Sequence, residues 1–139
     1  MNKTYLKLTL DLDFVLIAIT APLKDYVLCH KINTRLNLDF EKIDDHEIYF
    51  NADEQPWSFS QYYFFIDQGE QEFFLISNKS SDGLLIPEMA NVDFFIIIKA
   101  FIDKEDLDKI IGGLNKLPEV QVAAKINPSK LKSKENLML

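Results

Sequence analysis

Residues 84–101 read LLIPEMANVDFFIIIKAF, and this stretch decides the fold. It joins a proline-acid turn to the most apolar run of the chain, in which residues 94–98 are all apolar between Asp93 and Lys99. Successive side chains of a strand point to opposite faces of a sheet, so an unbroken apolar run predicts a strand that is covered on both faces. We therefore expect a sheet built around this central strand.

A helix and a further strand are predicted directly after the central strand. The central strand is predicted at residues 92–101, the helix at 103–114 and the last strand at 120–126. Asp103 is a typical N-cap residue, and acidic side chains follow it in the first turn, where they interact well with the helix dipole. This order predicts one strand–helix–strand unit in the second half of the chain.

A similar unit is predicted in the first half, with strands at 14–19 and 47–50 and a helix at 22–36. Proline is favoured in the first turn of a helix, which suggests a start at Pro22. The helix has one broad apolar face, made of Tyr26, Leu28, Cys29, Ile32 and Leu36. An additional half-buried strand is predicted at residues 5–10, and an acidic turn at residues 44–46.

A hairpin is predicted between the two units, with strands at 59–66 and 73–77 and a turn at 67–70. Together these elements indicate an α+β fold, with a mainly antiparallel sheet and both helices packed on one face. The arrangement is ferredoxin-like or ACT-like with an added hairpin, an analogy of fold that carries no function. We expect one domain at residues 1–126 and a C-terminal arm or tail at 127–139.

The composition limits the possible functions of the chain. Its 139 residues are 47% hydrophobic and carry a formal net charge of -7, which argues against nucleic-acid binding and against an anionic membrane surface. A single cysteine rules out an internal disulfide, and no secretion signal or membrane-spanning run is recognisable. These features predict a cytoplasmic protein.

The turn and the strand also carry a recognisable motif. Ile86-Pro87-Glu88, three spacers and then Val92-Asp93-Phe94 resemble the IPExxxVDY family of Bacteroidota, with Phe94 in place of the family's tyrosine. The segments at 24–26, 75–78 and 131–137 are similar to that family as well. The resemblance implies no activity, because the family has none established. The change to phenylalanine removes a hydroxyl group, so Phe94 is a poor candidate for acid–base chemistry.

Two candidate sites are not favoured by the spacing of their residues. Cys29 and His30 are neighbours on a helix and diverge by roughly 100°, so they cannot form a nucleophile–base pair. Cys29 is better explained as an inert core thiol. The acidic turn at 44–47 is better explained as solvated than as a metal site, because adjacent side chains point apart. We therefore predict no catalytic residue, no metal site and no cofactor.

The turn offers a candidate binding site made of Ile86, Pro87, Glu88, Asp93 and Phe94. Glu88 and Asp93 could act as an acid–base pair if they shared a cleft. The simpler interpretation is structural, with Glu88 accepting main-chain hydrogen bonds and Asp93 anchoring the start of the strand.

The hairpin has aromatic side chains on both of its faces, and only one of these faces can join the core under the helices. The other face is either covered by the tail or used for self-association. Lys130, Lys132 and Lys134 make the tail basic, and the tail could dock on its own domain, on a second subunit or on a partner, or be disordered. We assign an interaction surface to Tyr62, Phe64, Lys132 and Lys134.

The leading functional prediction is a non-enzymatic interaction module that forms a homodimer and binds a protein partner. One alternative is an ACT-like sensor that binds a small molecule between subunits or near the turn. A second alternative is an enzyme that uses Glu88 and Asp93.

Overall fold

The computed structural model describes residues 13–50 and 55–139. In that part of the chain six strands form one antiparallel sheet, which two α-helices accompany. The strands are β1 (Phe14–Thr20), β2 (Glu41–Ile48), β3 (Trp57–Ile66), β4 (Gln71–Ser77), β5 (Phe94–Lys99) and β6 (Val122–Ile126). The helices are α1 (Asp25–Leu36) and α2 (Lys104–Asn115), and short 3₁₀ turns cover Pro87–Met89, Pro128–Lys130 and Lys134–Leu137.

The central strand lies where the apolar run predicts it. The strand order is β2-β3-β4-β5-β1-β6, so β5 pairs with β4 on one side and with β1 on the other. All five apolar side chains of β5 are buried, although they alternate between the two faces of the sheet. The predicted α+β class and antiparallel sheet are therefore confirmed.

Both helices pack on one face of the sheet, which we call the helix side. Leu28 and Ile32 of α1 and Leu107 and Leu114 of α2 join a single core with the sheet. The sheet contributes alternate residues of its strands to this core, among them Ile17, Ile19, Tyr62, Phe73, Leu75, Phe94, Ile96 and Ile98. Helix α2 begins as predicted, because the Asp103 side chain accepts a hydrogen bond from the main-chain N–H of Asp106.

The opposite face of the sheet, which we call the strap side, is covered by irregular chain. The loop at residues 78–93 places Leu85 and Ile86 on it, and the C-terminal strap, residues 127–139, places Leu137 beside them. All three side chains are fully buried. Of the alternatives for the tail, the structure shows docking on its own domain.

Two elements differ from the sequence predictions, and one prediction is not tested. Helix α1 begins at Asp25 because Lys24 has an extended backbone, and Tyr26 of its expected apolar face is 61% exposed. The acidic stretch at 44–46 is no turn, since β2 runs through it with an irregularity in register between Ile43 and His46. The predicted strand at 5–10 lies outside the described residues.

Candidate functional site

A polar cavity of about 230 Å³ lies beneath the start of α1, on the helix side of the sheet. Two of the five predicted binding residues, Asp93 and Phe94, line it. We call it the α1 cavity, and its walls are Leu23, Lys24, Asp25, Ser60, Ser77, Lys79, Asp93 and Phe94. A wider depression along β2 has mostly exposed charged walls and brings together none of the predicted residues.

Two small side chains leave room for the α1 cavity. Elsewhere on the helix side, β3 and β4 carry large residues such as Tyr62, Phe73 and Leu75, which fill the space under the helices. Ser60 and Ser77 occupy the corresponding positions at this end, and their hydroxyl oxygens lie 2.9 Å apart. The floor of the cavity is therefore a pair of hydrogen-bonded hydroxyl groups.

Asp25 contributes a carboxylate to one wall. The Tyr62 hydroxyl donates a hydrogen bond of 3.0 Å to Asp25 Oδ2. Burial by itself would raise the pKa of Asp25, but hydrogen bonds from Ser60, Tyr62 and the main chain outweigh it and lower the pKa. This carboxylate therefore keeps its negative charge at neutral pH.

Asp93 connects the cavity wall to the frame of the sheet. Its Oδ2 accepts a 2.7 Å hydrogen bond from the main-chain N–H of Ala21, and its Oδ1 lies 2.8 Å from Lys79 Nζ. The main-chain N–H of Asp93 donates to Ile19 O. Asp93 thus anchors the start of β5 to the end of β1, which is the structural role expected for it.

The other predicted binding residues lie away from the cavity. Ile86 is buried under the strap, and Pro87 is exposed at the start of a 3₁₀ turn. The Glu88 carboxylate accepts hydrogen bonds from the main-chain N–H of Ser133 at 2.7 Å and from its hydroxyl at 2.9 Å. Burial would raise the pKa of Glu88, yet these bonds lower it. Glu88 therefore fastens the strap, and only Asp93 of the acidic pair lines the cavity.

The predicted interaction surface is dispersed in the structure. Tyr62 is buried under α1, so its assignment to an exposed surface is wrong. Phe64 is half-buried on the same side, where its ring stacks on Phe73 at 4.4 Å and meets the Phe40 ring edge-on. Lys132 is exposed, whereas Lys134 donates within the strap to Ser129 O.

Asn78 is the residue that sequence reasoning overlooked. Its buried amide group donates to the carbonyl oxygens of Met89 and Val92, at 3.0 and 2.8 Å, and accepts from the N–H of Ile86 at 2.7 Å. Asn78 therefore holds the whole 78–93 loop against the sheet. The only signal in the sequence was a polar residue directly after a buried strand. This signal is insufficient, because ordinary loops also begin with such a residue.

His46 ties the edge strand β2 to the strap, since its Nε2 lies 2.8 Å from Asn136 O and can donate to it. Burial lowers the pKa of His46 below its ordinary 6.5, although the hydrogen bond opposes this effect. The stabilising contribution of the neutral ring is complete above the unfolded pKa and is lost as the pH falls through the lowered folded value.

We therefore expect the free energy of unfolding to decrease between about pH 7.5 and pH 5.5, and His46→Gln to flatten part of this slope. Chemical denaturation at several pH values measures how the free energy of unfolding depends on pH. His30→Gln, at an exposed site on α1, is the matched control for the loss of a histidine. Equal slopes for wild type and His46→Gln would contradict the prediction.

The cysteine is a core residue. Cys29 is buried, and its thiol lies 3.8 Å from Phe40 O. Burial, with Asp25 nearby, raises the pKa of the thiol to about 11, which keeps it protonated and unreactive. Across residues 13–50 and 55–139, no three His, Cys, Asp or Glu side chains lie close enough together to hold a metal ion.

The described part of the chain contains no helix of the length and apolarity needed to cross a membrane. Compared with protein-family models and with curated proteins, the sequence matches none of them.

Proposed function

We propose that the protein is a non-enzymatic interaction module that pairs with a second copy of itself through the aromatic margin of its sheet. We define the aromatic margin as Tyr63, Phe65 and Phe74, on the strap-facing side of the β3–β4 hairpin. The observation that carries the proposal is Phe65, a large apolar side chain that is 46% exposed in a sheet whose other strap-side aromatics are better covered.

The margin lies beside the turn that joins β3 and β4. The Tyr63 and Phe74 rings pack at 5.0 Å, and Lys99 Nζ lies 5.5 Å from the centre of the Phe74 ring. The strap reaches this region at its last residue, where Lys99 donates to Leu139 O. Exposed aromatic groups beside a covered core are typical of protein interfaces.

The charges around the margin favour a second copy as the occupant. Glu72 and Lys99 are register partners in β4 and β5, in the row that also contains Phe65. The Glu72 carboxylate accepts a hydrogen bond from the Tyr63 hydroxyl, and Lys99 donates to Leu139 O. A two-fold axis through this row would place the acid of one copy near the base of the other. Such self-complementarity is what an isologous interface requires.

Phe65→Ser is expected to weaken self-association strongly. Truncation of an aromatic anchor costs about 2 kcal/mol or more, which is roughly a 30-fold rise in the dissociation constant. Sedimentation velocity over a micromolar concentration series measures it. Tyr26→Ser removes a comparably exposed aromatic from the outer surface of α1 and should change nothing. A wild-type protein that sediments as a monomer throughout would overturn the proposal.

An ACT-like small-molecule sensor is the second candidate, and the α1 cavity is the observation that favours it. The strand order β4-β5-β1-β6, with one helix after β1 and one after β5, supports a ferredoxin-like core. In that scheme β4 belongs to the core and β2 and β3 are additional to it, whereas the sequence prediction counted the hairpin at 59–77, which is β3 and β4, as the addition. The alternative of an enzyme that uses Glu88 and Asp93 has no comparable support, because Glu88 is bound to the strap. Binding of a different protein partner, a cytoplasmic location and membership of the IPExxxVDY family stay predictions from the sequence.

A further inference from the structure

We propose that the α1 cavity binds a small zwitterion, a molecule that carries an ammonium group and a carboxylate separated by one or two carbon atoms. This inference names the ligand class for the sensor candidate and rests on it. It does not rest on self-association.

The charges that line the cavity are balanced. Asp25 and Asp93 are negative, and Lys24 and Lys79 are positive. A lining of one sign would select a simple anion or cation, whereas a balanced lining suits a ligand that carries both charges. The hydroxyl groups of Ser60 and Ser77 add hydrogen-bonding capacity between the charged walls.

Lys24 is the group left for the ligand's carboxylate. Lys79 is paired with Asp93, and Asp93 is further held by the N–H of Ala21. The ammonium group of Lys24 has no such partner among the described residues, and its side chain is exposed at the mouth of the cavity. Lys24 also directly precedes α1, where the helix dipole favours a negative charge. A carboxylate placed here gains both interactions.

Asp25 is already hydrogen-bonded by Ser60, Tyr62 and the main chain, and it supplies a fixed negative charge for the ligand's ammonium. Its carboxylate is held in the wall by the Tyr62 hydroxyl and stands next to the serine floor. Carboxylate and hydroxyl oxygens together can accept the three N–H bonds of an ammonium group. Because Lys24 and Asp25 both line this cavity, both charged groups of a short zwitterion meet partners at one end of α1.

The size and the remaining walls restrict the ligand further. The volume of about 230 Å³ is below the roughly 300–1,000 Å³ of sites that take drug-sized molecules. Leu23 and Phe94 supply the apolar part of the lining. The cavity therefore suits a zwitterion with a short or apolar side chain.

Three probes test the ligand class on the full chain by two-dimensional amide NMR titration. L-alanine carries both charges, propionate only the carboxylate and ethylammonium only the ammonium. We expect L-alanine to give saturable shifts at the amides of Lys24, Asp25, Ser60 and Ser77, with an affinity about tenfold or more above either fragment. No saturable shift with L-alanine, or equal binding of propionate, would overturn the proposal.

Variants test the site. Lys24→Gln should weaken L-alanine binding about tenfold, because one charged hydrogen bond is lost, while the matched control Lys109→Gln on α2 should bind like wild type. Ser77→Val should fill the floor and abolish binding, with its melting temperature as the check on folding. Unchanged binding by Lys24→Gln would overturn the assignment. Phe65→Ser should bind L-alanine as wild type does. The NMR titration therefore tests ligand binding independently of self-association, which sedimentation measures.

Discussion

Asn78→Ala is expected to lower the free energy of unfolding by about 4 kcal/mol. The Asn78 side chain is fully buried and makes three hydrogen bonds, all to main-chain groups of the 78–93 loop. Alanine removes the partner of each group. A buried polar group left without a partner costs roughly 1–3 kcal/mol, and partial access of water reduces the sum.

The consequence extends beyond the hydrogen bonds. The main chain of Asn78 also accepts from Leu85 N–H at 2.7 Å and donates to Asp93 O at 2.9 Å, so the residue lies at the base of the loop. The loop places Leu85 and Ile86 in the strap-side core. Loosening it therefore weakens apolar packing as well as polar contacts.

Urea denaturation followed by circular dichroism measures the effect as a shift of the midpoint at constant slope. Asn91→Ala is the matched control, because Asn91 is an exposed asparagine of the same loop, and it should stay within about 0.5 kcal/mol of wild type. Asn78→Asp keeps the acceptor for Ile86 N–H but replaces the two amide donor bonds with a buried charge, so it should be no milder than alanine. A midpoint for Asn78→Ala equal to that of Asn91→Ala would contradict this account.

Leu137→Ala is expected to lower the free energy of unfolding by about 3 kcal/mol. Leu137 of the strap is fully buried and packs in the same core as Phe59, Phe95 and Ile97. Truncation of a buried leucine loses its transfer free energy and leaves a cavity, at a cost of about 2–5 kcal/mol. We expect a middle value, because a strap without a sheet partner can partly relax into the space.

The adjacent residue supplies the control. Met138 is 37% exposed, so Met138→Ala should cost about 0.5 kcal/mol or less. Hydrogen exchange gives a second measurement, since Leu137→Ala should reduce protection at the main-chain N–H of Ser133, which donates to Glu88. If the two alanine variants unfold at the same denaturant concentration, the strap does not contribute to the core as described.

The central strand, the hairpin and both helices were predictable because the pattern that specifies each of them lies within one continuous segment of sequence. Five apolar residues in a row between two charges specify a strand buried on both faces, and β5 satisfies that rule. Asp103 before an amphipathic stretch specifies the start of α2 in the same local way. The course of β2 through residues 44–46 was not predictable, because an acidic edge strand and an acidic turn have the same composition.

The candidate site was predictable only in part. Asp93 and Phe94 belong to the recognisable motif, but the remaining walls of the α1 cavity come from distant segments. Asp93 meets the main chain of Ala21 across 72 positions of sequence, and no spacing rule connects them. The small serines of the floor carry no signal either, since their effect is to leave space between larger neighbours.

Side chains of a strand alternate between the two faces of a sheet, so the sequence alone assigns each strand residue to a face. The sequence did not show which segment covers each face. Tyr62 became core because α1 packs over it, and the strap-side core closed because the tail folded back across the sheet. Whether a side chain is buried depends on which distant segments of the chain pack over it. Only the tertiary structure therefore shows that Phe65 is exposed and that Leu137 is buried.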